Sequence, residues 1–339
     1  MAGSRLILND GPRNDRPMLP TLTLALLASL FEIALGYPDR LYRLIGHPVG
    51  AIAAVITALE KQLNRVVLSP WRRRLGGIAT VLVLLALSLI VGGSITGVFN
   101  RVSGGILITA VLASSLLAHR SLDEHVKAVA TALPQGLAQG RSMVSRIVGR
   151  DPETLDEAGV ARAAIESLAE NFSDGVVAPL FWLAVLGLPG CLAYKAINTA
   201  DSMIGHLNER YRDFGWAAAR LDDLVNLPAS RLSALWLILA AVFLPDADPV
   251  EAARSVWRDA SRHRSPNAGW PEAAMAGALG LSLGGTRYYH GVRVDDATMG
   301  SGRREATAAD IDRAVTLYRV AACIELAIVA GAVLALRLN

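Results

Sequence analysis

The 339-residue chain is 53% hydrophobic and only 19% charged, and its mean hydropathy is +0.38, whereas a soluble domain carries about a quarter charged residues. One soluble core cannot bury this much apolar surface, so part of it must face lipid. The net charge is only +3, and no basic run is interleaved with aromatic residues. The composition therefore predicts a lipid bilayer as the surroundings and no nucleic-acid partner.

Several apolar stretches approach the roughly 20 helical residues that a membrane crossing needs. The clearest are residues 18–36, 76–99, 104–118 and 315–336. Residues 76–99 and 104–118 are separated by a short turn and predict a hairpin. Two weaker stretches are 175–194 and 231–245. The first contains Gly187-Leu188-Pro189-Gly190, which interrupts a helix, so we expect two short helices that dip into the membrane and return.

The predicted fold is therefore an all-α polytopic integral membrane protein with broken or re-entrant helices, in one domain that covers residues 1–339. Its predicted parts are a flexible N-terminus (1–17), N-terminal spans (18–118), a polar helical cytoplasmic section (119–174), a catalytic core (162–290) and a last span (315–336). Seven Lys and Arg residues lie in 37–75, but only Arg101 lies in the 99–104 turn. Because Lys and Arg favour the cytoplasmic side, residues 37–75 are predicted to face the cytoplasm.

The two cysteines, Cys191 and Cys323, both lie in apolar segments. They form no CxxC pair and no metal-binding spacing, so we expect two buried, inert thiols.

Carboxylates recur at helical spacing just before the 175–194 stretch. Glu166, Glu170 and Asp174 are four residues apart and would share one helical face. Like charges at this spacing destabilise a helix, which a divalent cation would offset. Oxygen ligands without Cys or His favour Mg²⁺ over zinc. The alternative is a solvated helix face.

Two further clusters follow along the chain. Lys195, Asn198 and Asp201 come after some 20 uncharged residues, where ionisable groups tend to be functional; a lysine whose charge reaches the interface is the alternative for Lys195. Asp222 and Asp223 then supply hard oxygen ligands. Arg220 and Arg231 flank these acids and are suited to phosphate, although such mixtures of Arg and Asp are usually surface ion pairs.

A fourth segment, residues 262–272, predicts a stiff loop that opens a helix. It contains Ser265 and Asn267, and Pro271 suits the first helical turn. The amides at this helix start are candidates to receive an anion. His263 is a candidate base, and a hydrogen-bonded structural histidine is the alternative. The chain has no GxxxxGK[ST] motif, so any ATP would bind without a P-loop.

At these residues the sequence resembles the CobD/CbiB family, the membrane-bound adenosylcobinamide-phosphate synthases. The motifs that carry the resemblance are Glu166-Ser167…Glu170-Asn171…Asp174-Gly175, Tyr194-Lys195-Ala196…Asn198-Thr199…Asp201-Ser202, Ala219-Arg220…Asp222-Asp223…Asn226 and Ser265-Pro266-Asn267-Ala268-Gly269. The resemblance covers about residues 30 to 290. The family usually has an aspartate where this chain has Tyr37, so a catalytic role for that aspartate is doubtful here.

The resemblance implies an ATP-dependent amide ligase at the inner membrane, with its active site facing the cytoplasm. Its substrates would be adenosylcobyric acid and (R)-1-amino-2-propanol phosphate, with ATP as co-substrate and Mg²⁺ as cofactor. Association with other cobalamin-synthesis enzymes is a further expectation. Our hypothesis divides the site into three sets of residues: metal ligands Glu166, Glu170 and Asp174; catalytic Lys195, Asp201, Asp222, Asp223 and His263; and substrate or phosphate ligands Asn171, Asn198, Arg220, Arg231, Ser265 and Asn267.

Two other classes of protein remain open from the residues. A membrane transporter also places polar groups at broken helices, but it would put them at mid-membrane depth and in paired repeats. A Mg²⁺-dependent membrane phosphotransferase also needs carboxylate clusters. Substrate tests separate these alternatives from the ligase.

Overall fold

A computed structural model describes residues 18–36, 46–149, 151–285, 287–289, 292–294 and 296–338. The predictions for residues 1–17 and for Tyr37 lie outside these residues.

The all-α prediction is confirmed. In chain order the helices are α1 (Met18–Leu35), α2 (Pro48–Leu63), α3 (Pro70–Phe99), α4 (Gly105–Ser114), α5 (His119–Ala132), α6 (Leu137–Val144), α7 (Glu157–Asn171), α8 (Ala178–Ile204), α9 (Trp216–Val225), α10 (Leu227–Ala241), α11 (Pro249–Asp259), α12 (Gly269–Leu279) and α13 (Ala308–Leu338). A π-helical turn, Phe172–Val177, joins α7 to α8, and short 3₁₀ turns are Leu133–Gln135, Pro152–Thr154 and Ala260–Arg262. Two antiparallel ladders pair β1 (Leu283–Gly284) with β4 (Thr298–Met299) and β2 (Arg287–Tyr289) with β3 (Val292–Val294).

Within the described ranges, five helical stretches are long and apolar enough to cross a membrane, so the chain is a polytopic membrane protein. They are Met18–Leu35, Pro70–Phe99, Gly105–Gln135, Glu157–Ile204 and Ala308–Leu338. The pair α9 and α10, bent by 43°, makes a sixth if it is taken as one span. The four clearest predicted stretches fall in four of these helical stretches, and the weaker 231–245 stretch falls largely in α10.

Helix α8 reverses direction in its middle. In one straight helix Asp174 and Tyr194 would lie about 30 Å apart, at 1.5 Å per residue, but the Tyr194 hydroxyl donates to the Asp174 carbonyl oxygen at 2.9 Å. The backbone of Gly187 is non-helical, with φ of 67° and ψ of −161°. This conformation is open to glycine and strained for other residues. The prediction of two helices that enter and return is confirmed.

The tip of this hairpin lies deep among the spans. A Cβ on Gly92 of α3 would come within 2.6 Å of the Pro189 Cα, so glycine is needed for this contact. At the other end of α3, a Cβ on Gly77 would clash with the Phe214 carbonyl oxygen. The second arm of α8, residues 188–204, therefore runs antiparallel to α3 and returns to the start of α3.

The polar helical section is not polar on every face. Helices α5, α7, α10 and α12 and the first half of α13 share one core, whose fully buried members include Val126, Ile165, Leu237, Met275 and Leu317. We call this part the helical lobe. A second apolar cluster joins α1, α4 and α8 through Leu24, Ala110, Leu183 and Cys191. The first half of α13 lies in the helical lobe, and its second half lies along the spans.

The prediction for the cysteines is half wrong. Cys191 is buried, as expected, but Cys323 is exposed on α13. A membrane helix packs one face against protein and turns another to lipid, so an apolar sequence context does not imply burial inside the protein.

Candidate functional site

One cavity of about 320 Å³ brings together polar residues from α7, the π-turn and the end of α8. Its lining includes Glu166, Ser167, Glu170, Asn171, Asp174, Asn198 and Ser202. Asp156 starts α7 by accepting the Gly159 backbone N–H at 2.6 Å. The Ser167 hydroxyl donates to the Ile147 carbonyl oxygen at 2.7 Å and so fixes the loop that forms the opposite wall. The predicted metal ligands and two predicted phosphate ligands thus share one cavity.

Asp222 of α9 is held from two sides by amide groups. Asn198 Nδ2 donates to Asp222 Oδ1 at 3.3 Å, and Asn226 Nδ2 donates to Asp222 Oδ2 at 3.0 Å. The Tyr194 hydroxyl lies 2.9 Å from Asn226 Oδ1 and bonds the π-turn through Asp174 as well. Asp222 is buried and forms no ion pair with Lys or Arg within the described chain. The amides orient this carboxylate without cancelling its charge.

The other acids continue in a row from Asp222. Asp174 lies within electrostatic reach of Glu170 and Asp222, and Asp222 lies within reach of Asp201 and Asp223. Only Asp223 has an ion pair among the described residues, with Arg220 at 3.6 Å. We call Glu170, Asp174, Asp222, Asp201 and Asp223 the carboxylate row. Acids assembled at this density with a single ion pair among them repel one another, and a bound cation would relieve this repulsion.

The carboxylate row fits Mg²⁺ only if a phosphate completes the coordination. No three His, Cys, Asp or Glu side chains among the described residues converge to hold an ion by themselves. Mg²⁺ is usually bound through one or two carboxylates together with substrate phosphates and water. Glu166 already accepts the Gly284 backbone N–H at 2.7 Å, so Glu170 and Asp174 are the better placed of the three predicted ligands.

Lys195, on the second arm of α8, lies near the carboxylate row without an ion pair in the described chain. Asp174 and Asp222 are both within its electrostatic reach. The pKa of His47 is lowered below its usual value, mainly by burial and secondly by the positive charge of Lys195. His47 Nδ1 accepts the Val49 backbone N–H at 3.2 Å and so starts α2. Lys195 is therefore a cation within electrostatic reach of the carboxylate row that has no ion pair among the described residues.

Arg231 and Asn267 belong to a second network beside the row. Arg231 Nη1 donates to Asn267 Oδ1 at 3.0 Å and to Ser230 Oγ at 2.8 Å, and its guanidinium lies 4.3 Å from the centre of the Trp270 ring. Asn267 Nδ2 donates to the Asp223 carbonyl oxygen at 2.8 Å. Residues 262–272 are therefore tied to α9 next to the acids, as the enzyme hypothesis requires.

His263 and Ser265 mainly hold their own loop. Ser265 Oγ accepts the backbone N–H groups of Asn267 and Ala268 at 3.2 and 3.3 Å, so these amides are already occupied and the predicted anion site there is weakened. His263 Nδ1 accepts the Ser265 N–H at 3.0 Å, and its Nε2 lies 3.7 Å from Glu272 Oε1. These contacts favour the structural role for His263, and its role as a base stays a prediction.

Comparison with known proteins identifies the family. The model of the family described as CobD/Cbib protein matches residues 25–318. The chain belongs to the CobD/CbiB family. It is 51% identical over 314 residues to the cobalamin biosynthesis protein CobD of Sinorhizobium fredii, which covers 91% of this chain and 95% of the relative. It is 50% identical over 306 residues to the Rhizobium meliloti protein of the same name (89% and 93% covered) and 49% identical over 289 residues to that of Rhodobacter capsulatus (85% and 90%). No solved structure matches the chain.

Two structural contacts that support the CobD/CbiB motifs could not be predicted from the sequence. In the first, the hydroxyl of the motif residue Tyr194 joins the π-turn to Asn226. Buried Glu60 of α2 pairs with Arg210, with Oε1 and Nε at 3.0 Å, and Asn64 Nδ2 donates to the Arg210 carbonyl oxygen at 3.1 Å. This pairing fixes the loop between α8 and α9. Its residues are about 150 positions apart, so no local pattern indicates it.

Proposed function

We propose that this chain is the cobalamin-synthesis ligase that joins adenosylcobyric acid to (R)-1-amino-2-propanol phosphate, with ATP, at the cytoplasmic face of the inner membrane. The observation that carries the proposal is the carboxylate row with its amide supports. We infer the pathway from the relatives, because the three cited above are named cobalamin biosynthesis proteins.

The chemistry of the row fits two phosphate-bearing substrates. Mg²⁺ bound with ATP would neutralise phosphate charge beside Glu170 and Asp174. These acids would hold the cation, and Asn171 and Asn198 would hydrogen-bond the phosphates in the same cavity. Lys195 and Arg220 would stabilise the negative charge that moves during transfer, a contribution often worth several kcal/mol.

Amide formation requires an activated carboxyl group. In our proposal the corrinoid carboxylate attacks the terminal phosphorus of ATP, which releases ADP and leaves an acyl phosphate. The amine of the aminopropanol phosphate then attacks the acyl carbon, the C–N bond forms, and inorganic phosphate leaves. A base must take a proton from the amine, and Asp201, Asp222 and Asp223 of the carboxylate row are candidates.

The two alternative functions do not account for the names of the relatives, which are cobalamin biosynthesis proteins. A transport site would need polar groups near the hairpin tip, but the tip consists of Gly187, Leu188, Pro189, Gly190 and the buried Cys191. A phosphotransferase that acts on lipid alcohols remains compatible with the acids, and the experiment below separates it.

The test uses membranes that contain the chain, incubated with both organic substrates, ATP and Mg²⁺, followed by mass spectrometry of the corrinoids. We expect a product with the mass of the amide, and no product when ATP, Mg²⁺ or the aminophosphate is left out. ATP consumption without the amide, together with a phosphorylated lipid, would support the phosphotransferase instead.

A further inference from the structure

A groove lies on the opposite face of the π-turn, where two spans meet the helical lobe. It has a volume of about 430 Å³ and is lined by Ile33 of α1, Arg120 of α5, and Arg319, Ala322, Cys323 and Leu326 of α13. We call it the α1–α13 groove. It shares no lining residue with the cavity of the carboxylate row, so the proposed function does not account for it.

One side of the groove is apolar and continues the lipid-facing surface of the spans, and the other side is charged. On its apolar side, Leu30 and Ile33 of α1 are 50% and 43% exposed. On its other side α5 begins with Arg120, Asp123 and Glu124. Because apolar side chains exposed on spans face acyl chains, one end of the groove opens to the membrane interior and the other to the headgroups.

Two guanidinium groups stand at the polar end, each fixed by a carboxylate. Arg319 Nε and Nη2 donate to Asp123 at 2.6 and 2.8 Å. Arg120 Nε donates to Glu124 at 2.7 Å, and its Nη1 donates to the Ala34 carbonyl oxygen at 3.2 Å. Arg319 Nη1 and Arg120 Nη2 therefore keep donors without an acceptor in the described part of the chain. Both side chains are about half exposed, and fixed guanidinium groups suit phosphate.

From this arrangement we propose that the α1–α13 groove binds one glycerophospholipid of the surrounding leaflet. An acyl chain lies against Ile33, Ala322, Cys323 and Leu326, and the phosphate accepts hydrogen bonds from Arg120 and Arg319. A free phosphate or nucleotide would leave the apolar wall unused, and a purely apolar ligand would leave the two guanidinium groups unused. Asp123 and Glu124 balance the charge of the two arginines, so the phosphate is held by the remaining guanidinium N–H donors rather than by a net positive charge.

The floor of the groove contacts the first residue of the π-turn. The Tyr318 hydroxyl donates to the His119 carbonyl oxygen at 2.8 Å, and the Tyr318 ring meets Phe172 edge to face with centroids 5.4 Å apart. Phe172 begins the π-turn that carries Asp174. A lipid bound over Tyr318 would therefore stabilise the folded state, as any ligand of the native protein does.

The test compares two tryptophan variants of α13 in purified, detergent-solubilised protein by native mass spectrometry. Cys323→Trp fills the groove from an exposed position, so it need not disturb the core. Ile328→Trp is the matched control on the same helix, outside the lining. We expect about one phospholipid per chain in the wild type and the control, and at least five-fold lower occupancy in Cys323→Trp. Added phospholipid should raise the melting temperature of the wild type and the control but not of Cys323→Trp.

A second pair of variants tests the headgroup contact. Arg319→Gln should lower phospholipid occupancy, whereas Arg254→Gln, which removes the same charge from an exposed side chain of α11, should leave it unchanged. Equal occupancy in the wild type and Cys323→Trp would overturn the proposal. Loss in Cys323→Trp with no effect of Arg319→Gln would also overturn it, because the ligand would then be bound by its apolar part alone.

Discussion

The carboxylate of Asp222 gains its orientation from neutral donors. Each oxygen accepts one side-chain amide, from Asn198 or Asn226, and the Tyr194 hydroxyl in turn reaches Asn226. Amide donors fix direction without cancelling charge, so the carboxylate stays available to a cation or a substrate proton.

Replacing Asn226 by Ala should slow amide formation without preventing folding. The change removes the hydrogen bond to the charged Asp222 as well as the contact with the Tyr194 hydroxyl. A hydrogen bond to a charged group is worth about 1.5–3 kcal/mol, and a loss of this size in transition-state stabilisation corresponds to about 10- to 100-fold in kcat. Asn100→Ala, in the exposed turn after α3, is the control. An Asn226→Ala enzyme with the wild-type rate would show that Asp222 needs no such support.

Asp259 predicts a pH-dependent contribution to stability outside the candidate site. Burial alone would raise its pKa, but hydrogen bonds from Arg258 and from the Gly300 backbone N–H outweigh burial and lower the pKa below its usual value. A lowered folded-state pKa stabilises the protein above the unfolded-state pKa, and this stability is lost as the pH falls through the folded-state pKa.

Asp259→Asn should therefore lower the melting temperature at neutral pH, and the difference from the wild type should shrink below about pH 4. The measurement is thermal unfolding in detergent across this pH range, with exposed Asp312→Asn as the control. A difference that stays constant with pH would show that the ionised carboxylate does not stabilise the fold.

At the scale of elements, the re-entrant hairpin depends on close backbone contact. Gly92 and Gly93 are neighbours on α3, but a Cβ on Gly92 would meet the Pro189 backbone, whereas one on Gly93 would meet nothing within 4 Å. Gly92→Ala should cost about 1–3 kcal/mol through overpacking, seen as a lower melting temperature. Gly93→Ala should be neutral or slightly stabilising. Equal effects of the two changes would contradict the packing of the hairpin tip.

The spans and the hairpin could be predicted because each has a local cause. Apolar length predicts a crossing, and the Gly and Pro residues around Pro189 stop a helix. Other features have no local signal. The ladders formed by β1 with β4 and β2 with β3 are two or three residues long, and the exposure of Cys323 depends on which face of α13 meets its neighbours.

The candidate site, too, could be predicted from the sequence only where a residue has a local signal. The sequence singles out Asp201 by its apolar surroundings, Asp174 by its helical spacing from Glu170, and Asp222 by its adjacent acid. Their arrangement in one row depends on the reversal at Gly187, which returns α8 to the π-turn, and on the contact of α9 with the second arm. Spacing along the chain therefore indicates candidate residues, but it does not show which of them are held by structural contacts, as Glu166 and His263 are.

For the whole molecule, the distribution of Lys and Arg predicts orientation. In a Cys323→Ser background, Val67→Cys, in the turn before α3, should react with an impermeant maleimide from the cytoplasmic side. Ser103→Cys, in the turn after α3, should react from the opposite side. Labelling of both positions from one side would contradict the assignment of α3 as a span.

The central claim is that the carboxylate row performs amide formation, and Asp222→Asn tests it most directly. The substitution keeps the shape of the side chain and removes its charge, and Asp312→Asn removes an exposed acid elsewhere on the surface. Product formation should be measured with purified protein, ATP, Mg²⁺ and both organic substrates. We expect a loss of at least about 100-fold in Asp222→Asn and a wild-type rate in Asp312→Asn. A folded Asp222→Asn enzyme within a few-fold of the wild-type rate would contradict the claim.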